Sequence, residues 1–324
     1  PLLHHGHGLL GWDGQVEAEN FRTFCNTYGY AIFSSKLIGM ADDDQEWIIE
    51  QVVNGKIDGV TAMFDRLHQG FLHNLLVTRM VSRGLANDPD LGAYLDPTRR
   101  YYWGISQGGI QGGVTMALSP DIERSVLEVM GQPYNMLLNR SVDFAPFFIV
   151  MTIQLPDSRA QQHALALLQM GWDRVEPNGY TKYAFEQPFP GSPPDRRILL
   201  RVALGDHQVT TYAAHVMARA MGAVHLDSGI RDIFGLEKET AASVDQPGAA
   251  YIEFDFGLPP EPACNLPLTV CDDPHGKLRK LEEARAQVHT FFSTGVIENT
   301  CANQVCDFSD MSGCTGDEDP NPCD

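Results

Sequence analysis

A serine framed by glycines, Gly104-Ile105-Ser106-Gln107-Gly108, is the sharpest chemical signal in this 324-residue chain. Alone it is weak, because small residues also punctuate ordinary turns and a serine can simply cap a helix. Its context raises it. Tyr101, Tyr102 and Trp103 precede it as a strand, and Gly109, Gly112 and Gly113 follow in a helical stretch. A strand, a strained turn and a helix in that order lift a serine oxygen clear of the backbone, with glycines admitting the close neighbours. Such a hydroxyl becomes a nucleophile only beside a base, and the base needs an orienting carboxylate. In this topology the order along the chain is serine, acid, histidine, each just beyond a strand. Asp206 stands in Gly205-Asp206-His207-Gln208-Val209, after a strand expected over 196–204. His275 stands in Asp272-Asp273-Pro274-His275-Gly276, after a strand expected over 249–257 and before the last amphipathic helix. Asp143, in the loop after the strand over 125–131, is the reserve acid.

Ten other histidines compete with His275. His68, His73, His163, His215 and His289 lie in helical stretches, where packing or solvation is the default. His207 adjoins the acid but precedes the last strand, and His225 enters a segment of unclear structure. Acyl chemistry further needs backbone N–H groups for the developing oxyanion. Gln107, directly after the serine, is one donor. Leu9, in the glycine-rich His4-His5-Gly6-His7-Gly8-Leu9-Leu10-Gly11, is the other, with His7 as second choice. A metal reading of His4, His5 and His7 needs two of them to point the same way, with no carboxylate nearby.

The elements that must position these groups alternate. Strands are expected over 1–5, 29–34, 99–106, 125–131, 196–204 and 249–257, and helices over 12–27, 44–54, 58–85, 211–223 and 277–295. That alternation means an α/β fold with a mainly parallel, doubly wound sheet and helices on both faces. The stretch 132–195 is mostly helical and too long for a simple connection. Its Met136, Leu137, Leu138, Phe144, Phe147, Phe148, Met151, Leu165, Leu167 and Met170 supply apolar surface for packing and for an acyl-binding pocket.

The ordered set HGHGLLG, GISQGG, GDHQV and DPHG with a closing helix resembles the α/β-hydrolase superfamily, specifically secreted bacterial lipase/esterase-like serine hydrolases. The resemblance covers residues 1 to about 296. It implies a Ser106, Asp206, His275 triad, oxyanion amides from Leu9 and Gln107, and a cap after the sixth strand. The domains expected are 1–298 (catalytic), on the resemblance, and 299–324 (an acidic, disulfide-stapled tail), on composition. Two features depart from the family. Its first two strands are missing ahead of Pro1, so an upstream segment is expected to have been removed, and a cleaved N-terminal fragment of the same precursor is a candidate partner. The interval from Asp206 to His275 is long, so an excursion over about 222–248 is expected on the outside.

Composition bounds the reading. The hydrophobic fraction of 43% excludes a disordered chain. A formal charge of −19 without a large basic cluster argues against nucleic acid, and no apolar run suggests stable membrane insertion. Six of seven cysteines fall in the last 61 residues at spacings that favour small disulfide loops over zinc. That points to a secreted, periplasmic or cell-surface protein, and the resemblance implies a bacterial one. Cys25 is the odd thiol, either free or bonded outside the chain. The tail from Asn299 carries six acids and no base. Its Asp307, Asp310, Asp317, Glu318 and Asp319 suit calcium chemically, yet match no EF-hand register, so no metal is expected. The function expected is hydrolysis of small-molecule or lipid-like carboxylic esters, which requires no metal or organic cofactor. The alternatives are a serine peptidase or amidase of the same fold, or a catalytically silent binding module.

Overall fold

The structure, a computed structural model, describes residues 1–56, 59–316 and 323. Its frame is one parallel sheet. The strands are β1 (Leu2–Gly6), β2 (Ala31–Ser34), β3 (Arg100–Ile105), β4 (Arg124–Glu128), β5 (Arg197–Ala203), β6 (Val224–Leu226), β7 (Lys238–Glu239) and β9 (Gly248–Phe254). They lie in the order β2-β1-β3-β4-β5-β9-β6-β7. The inner strands are near-continuous apolar runs because both faces are covered. Their alternate residues go to opposite layers. Tyr101, Trp103 and Ile105 meet Phe21 and Phe24 of α1 (Glu19–Tyr28) and Val288, Phe291 and Phe292 of α10 (Glu282–Thr294). Tyr102 faces the other way, onto Met63, Phe64 and Leu67 of α3 (Val60–Arg79), Ile110 and Val114 of α4 (Gln107–Leu118) and Met217 of α9 (Thr211–Ala220). One fully buried ion pair lies within the sheet: Arg201 on β5 and Glu128 on β4 are 2.5 Å apart, with Trp103 Nε1 donating to the same carboxylate.

The excursion over 222–248 is not an external appendage. β6 pairs with β9 and β7 pairs with β6, both parallel, so it widens the sheet at one edge. β8 (Ser243–Val244) leaves the sheet to pair with β10 (Ile297–Glu298). The first helix also starts later than its apolar spacing predicts, with a 3-10 turn over Asp13–Glu17 before α1.

Two stretches, rather than one, roof the sheet's C-terminal edge. The expected insertion supplies α5 (Tyr134–Leu137), α6 (Ala145–Gln154), α7 (Ser158–Trp172) and α8 (Thr181–Ala184). The second contribution is α2 (Gln45–Val53) with the start of α3. Gln154 Nε2 donates to Val52 O and Val53 O at 3.2 Å, and Phe64 meets Trp172 edge-on at 4.9 Å. Among the described residues no single helix is long and apolar enough to cross a membrane.

Three disulfides form, but only Cys301–Cys306 closes a small loop. Cys271–Cys314 and Cys264–Cys323 span 43 and 59 residues and tie the tail to the loop after β9. The expectation of small loops fails because the spacing of neighbouring cysteines says nothing about which segments the fold brings together. Three such bonds belong to an oxidising environment. Cys25 is free and half-buried, and burial pushes its thiol up to about 11. Asp317, Glu318 and Asp319 lie outside the described residues.

Candidate active site

Ser106 occupies the turn between β3 and α4 with φ 59° and ψ −125°. Such a conformation costs a non-glycine residue about 1–3 kcal/mol and persists only where the surroundings over-determine it. Here they do. Ser106 N donates to Glu128 O at 3.0 Å, and Ile110 N donates to Ser106 O at 2.9 Å. The flanking glycines are required by close approach: a Cβ on Gly104 would sit 2.0 Å from Gly108 O, and one on Gly108 would sit 2.0 Å from Gly6 O. The motif thus locks its turn against the end of β1, which carries the loop of Leu9.

His275 lies on a short 3-10 turn after β9, and its Nδ1 donates to both Asp206 oxygens, at 2.7 and 3.0 Å. Burial pushes the imidazole down, but the charge and hydrogen bonds of Asp206 outweigh it, leaving the group above its usual value. Asp206 is itself 2% exposed, and its Oδ1 also accepts from Gln208 N and Val209 N, which fixes its orientation. Asp143, the reserve acid, makes no hydrogen bond to His275. Its carboxyl is raised by burial and lines the same cavity. Ser106 and His275 line that cavity together, and no direct hydrogen bond joins their side chains among the described residues.

Sequence reasoning assigned Asp273 no role. Its Oδ1 accepts from His275 N at 3.0 Å and His207 N at 3.3 Å, and its Oδ2 from Gln208 Nε2 at 2.7 Å. It therefore clamps the acid loop to the histidine loop. A signal was available, since an Asp before Pro274 is an N-cap pattern.

The amides around Ser106 differ in what they engage. Gly8 N donates to Gln15 Oε1, Leu10 N to Met40 O and Gly11 N to Gly8 O. Leu9 N and Gln107 N have no hydrogen-bond partner among the described residues, and both residues line the space beside Ser106. The three early histidines diverge. His4 Nδ1 meets Thr78 Oγ1, and His5 Nδ1 donates to Trp103 O. His7 donates to Gly8 O and accepts from Leu37 N. Burial lowers the imidazoles of His4 and His5 to about 3. Their separate partners give no shared metal position.

Two cavities meet at Ser106. One, of about 750 Å³, is open and mixed in character, reaching His5, Asn20, Phe21, His275 and Arg279. The other, of about 220 Å³, runs under the roof and is almost wholly apolar. Of the cap residues expected at an acyl pocket, Leu137, Leu138, Phe144, Phe147, Met151 and Leu165 line it, whereas Leu167 and Met170 face solvent. Trp47, Ile48 and Val52 of α2 complete it. Behind it, Tyr134 donates to Gln107 Oε1, and buried Glu176 accepts from Tyr134 N and Gln169 Nε2.

No protein-family model and no curated protein matches the chain. Solved structures similar to it include acetyl xylan esterase 1 from Thermoanaerobacterium, at 15% identity and TM-score 0.44, covering 79% of this chain and 68% of that one. An acylaminoacyl peptidase from Pyrococcus horikoshii follows at 12% and 0.46, covering 98% of this chain but only 38% of its own. An esterase from Pyrococcus furiosus matches at 11% and 0.44, covering 90% and 82%. The strand order, the serine elbow after β3, and the acid and histidine loops after β5 and β9 decide the fold. The chain has the α/β-hydrolase fold. Ser106, Asp206 and His275 all sit beyond the C-terminal ends of strands of this sheet, where loops from distant sequence converge.

Proposed function

We propose that the protein is a serine hydrolase of carboxylic esters. Ser106 Oγ attacks the carbonyl carbon while His275 Nε2 takes its proton. The Leu9 and Gln107 amides hold the tetrahedral oxyanion, a donor of this kind being worth about 3 kcal/mol. Collapse expels the alcohol, which takes the proton back from His275. Water, deprotonated by the same imidazole, then attacks the acyl-enzyme and releases the acid. Asp206 keeps the Nδ1 tautomer throughout, and Asp273 holds the histidine loop as a positioning residue.

The observation that carries this reading is a strained Ser106 lining one cavity with a buried, Asp206-bonded His275. The apolar cavity beside Ser106 supports an ester with an aliphatic or aromatic acyl group. The disulfides support a secreted, periplasmic or cell-surface location. Ser106→Ala should abolish turnover of p-nitrophenyl esters and remove labelling by a fluorophosphonate probe. Wild-type turnover by that variant refutes the nucleophile, and a preference for aminoacyl amides in parallel assays refutes the ester assignment.

A further inference from the structure

The open cavity contains polar groups that the hydrolytic chemistry leaves unused. His5 is 1% exposed and neutral, and its Nδ1 donates to Trp103 O, so Nε2 is an acceptor; it is buried and has no partner. Asn20 lines the cavity too, and its Nδ2, a donor, is buried without a partner. Buried polar atoms without partners are costly, and a bound molecule can recover that cost. Arg279, on the 3-10 turn just after His275, lines the same cavity, half-buried, and makes no ion pair or hydrogen bond among the described residues. A Cβ on Gly276 would lie 3.4 Å from its Nη2, so the guanidinium folds back over the His275–Gly276 turn. In a chain of 42 acidic and 23 basic residues, a cation left unpaired in the reaction cavity is conspicuous. None of the three lines the apolar cavity, whereas Asp143 lines both, at their junction.

We infer that the open cavity is a leaving-group subsite for an alcohol bearing a carboxylate, with Arg279 and Asn20 donating to the anion and His5 accepting from a hydroxyl. This rests on reading Ser106 as the nucleophile. The guanidinium fork suits a carboxylate bidentately. When ionised, Asp143 repels an anion from the junction, so the carboxylate is directed to the Arg279 end and the apolar acyl group to the roofed cavity. The substrate class is therefore an apolar acyl ester of a hydroxy acid.

The test compares phenyl butyrate with 3-carboxyphenyl and 4-carboxyphenyl butyrate, each kcat/KM divided by the ester's alkaline hydrolysis rate. One carboxylated ester should exceed phenyl butyrate at least tenfold. That ratio should fall at least tenfold in Arg279→Gln and recover in part in Arg279→Lys. A ratio at or below one, or one unchanged in Arg279→Gln, overturns the inference. Binding is measured separately on Ser106→Ala with 3- and 4-hydroxybenzoate by calorimetry. Binding that weakens at least tenfold when Arg279→Gln is added supports the subsite, and no binding, or binding indifferent to Arg279, overturns it. Absent turnover of all three esters with no labelling of Ser106 refutes the hydrolase reading instead, and the calorimetry still judges the subsite.

Discussion

Replacing Asp206 with Asn tests the site at its most buried bond. The Asn Oδ1 can keep the Gln208 and Val209 amides that Asp206 now accepts at 2.8 and 2.9 Å, so the loop stays in place. Its Nδ2 then faces His275 Nδ1, where a carboxylate oxygen stood at 2.7 Å. Two donors cannot face one another, so Nδ1 becomes the acceptor and the ring proton moves to Nε2. An imidazole protonated at Nε2 cannot take the Ser106 proton. Loss of the correct tautomer costs about 10³–10⁴ in kcat, or roughly 4–5 kcal/mol of transition-state stabilisation. A pH signature accompanies it. In the wild type, His275 must be neutral to act and lies above its usual value, so kcat/KM rises with pH through a midpoint above about 6.5. Without the Asp206 charge, burial and Arg279 both lower the imidazole, opposed by Asp273 and Asp143, and the residual activity shifts its midpoint below that of the wild type. The stability term has its own sign. A raised histidine contributes stability that is fully present below its unfolded value and is lost as pH rises through the folded one. The melting temperature gap between wild type and variant is therefore larger near about pH 6 than near about pH 9. The assay is kcat/KM for p-nitrophenyl acetate against pH, with melting curves on the same samples. Retention of more than about a tenth of wild-type kcat/KM by a normally folded variant would falsify the tautomer argument.

Other perturbations read the scaffold. Gly108→Ala drives a methyl to 2.0 Å from Gly6 O and should cost at least about 1–3 kcal/mol with a large loss of activity. Gly84→Ala, in a helical turn where the new methyl meets nothing closer than 4.0 Å, should keep full activity and raise stability by about 0.4–1 kcal/mol in melting curves. Reducing Cys271–Cys314 and Cys264–Cys323 opens loops of 43 and 59 residues and should remove about 4 kcal/mol each by the chain-entropy relation. Activity should fall with the first of them, which anchors the loop leading to Asp273 and His275; full activity of the Cys271→Ser/Cys314→Ser protein refutes that coupling. Glu176 is pushed up to about 8 by burial, so its protonated form stabilises the fold below its ordinary range and that stability is lost as pH rises through about 8. Glu176→Gln should therefore raise the melting temperature at about pH 8.5 relative to wild type and change it little at about pH 4.

Much of the arrangement was legible because it is written locally. The aromatic run before Ser106 and the glycines at 104, 108 and 109 specify a strand, a strained turn and a close-packed helix within a dozen residues. Asp206 and His275 were legible from their position just past apolar runs. The parallel sheet followed from the alternation of strands and helices. Less was readable where partners are distant. Nothing near Gln45–Val53 reveals that α2 roofs the site, because a helix's apolar face does not name what covers it. The same limit hid β6 and β7, strands of three and two residues whose pairing depends on an edge offered by β9.

Chemistry shared by several candidates was settled only in three dimensions. Asp143 and Asp206 have the same functional group, and both line up with a strand end; only the folded loops bring Asp206 within 2.7 Å of His275 and leave Asp143 facing the cavity. The sequence disfavours a metal cluster of His4, His5 and His7 without assigning their partners; the fold sends each ring to a different one. By itself the sequence determined the strained turn at Ser106, the placing of Asp206 and His275 beyond strand ends and the class of sheet, since these follow from side-chain period and backbone sterics over a few residues. The tertiary structure alone decided the bound acid, the disulfide pairing, the two-part roof and the unpaired Arg279 beside His5 and Asn20. Each of those depends on contacts between segments far apart in the chain, whose geometry no local propensity encodes.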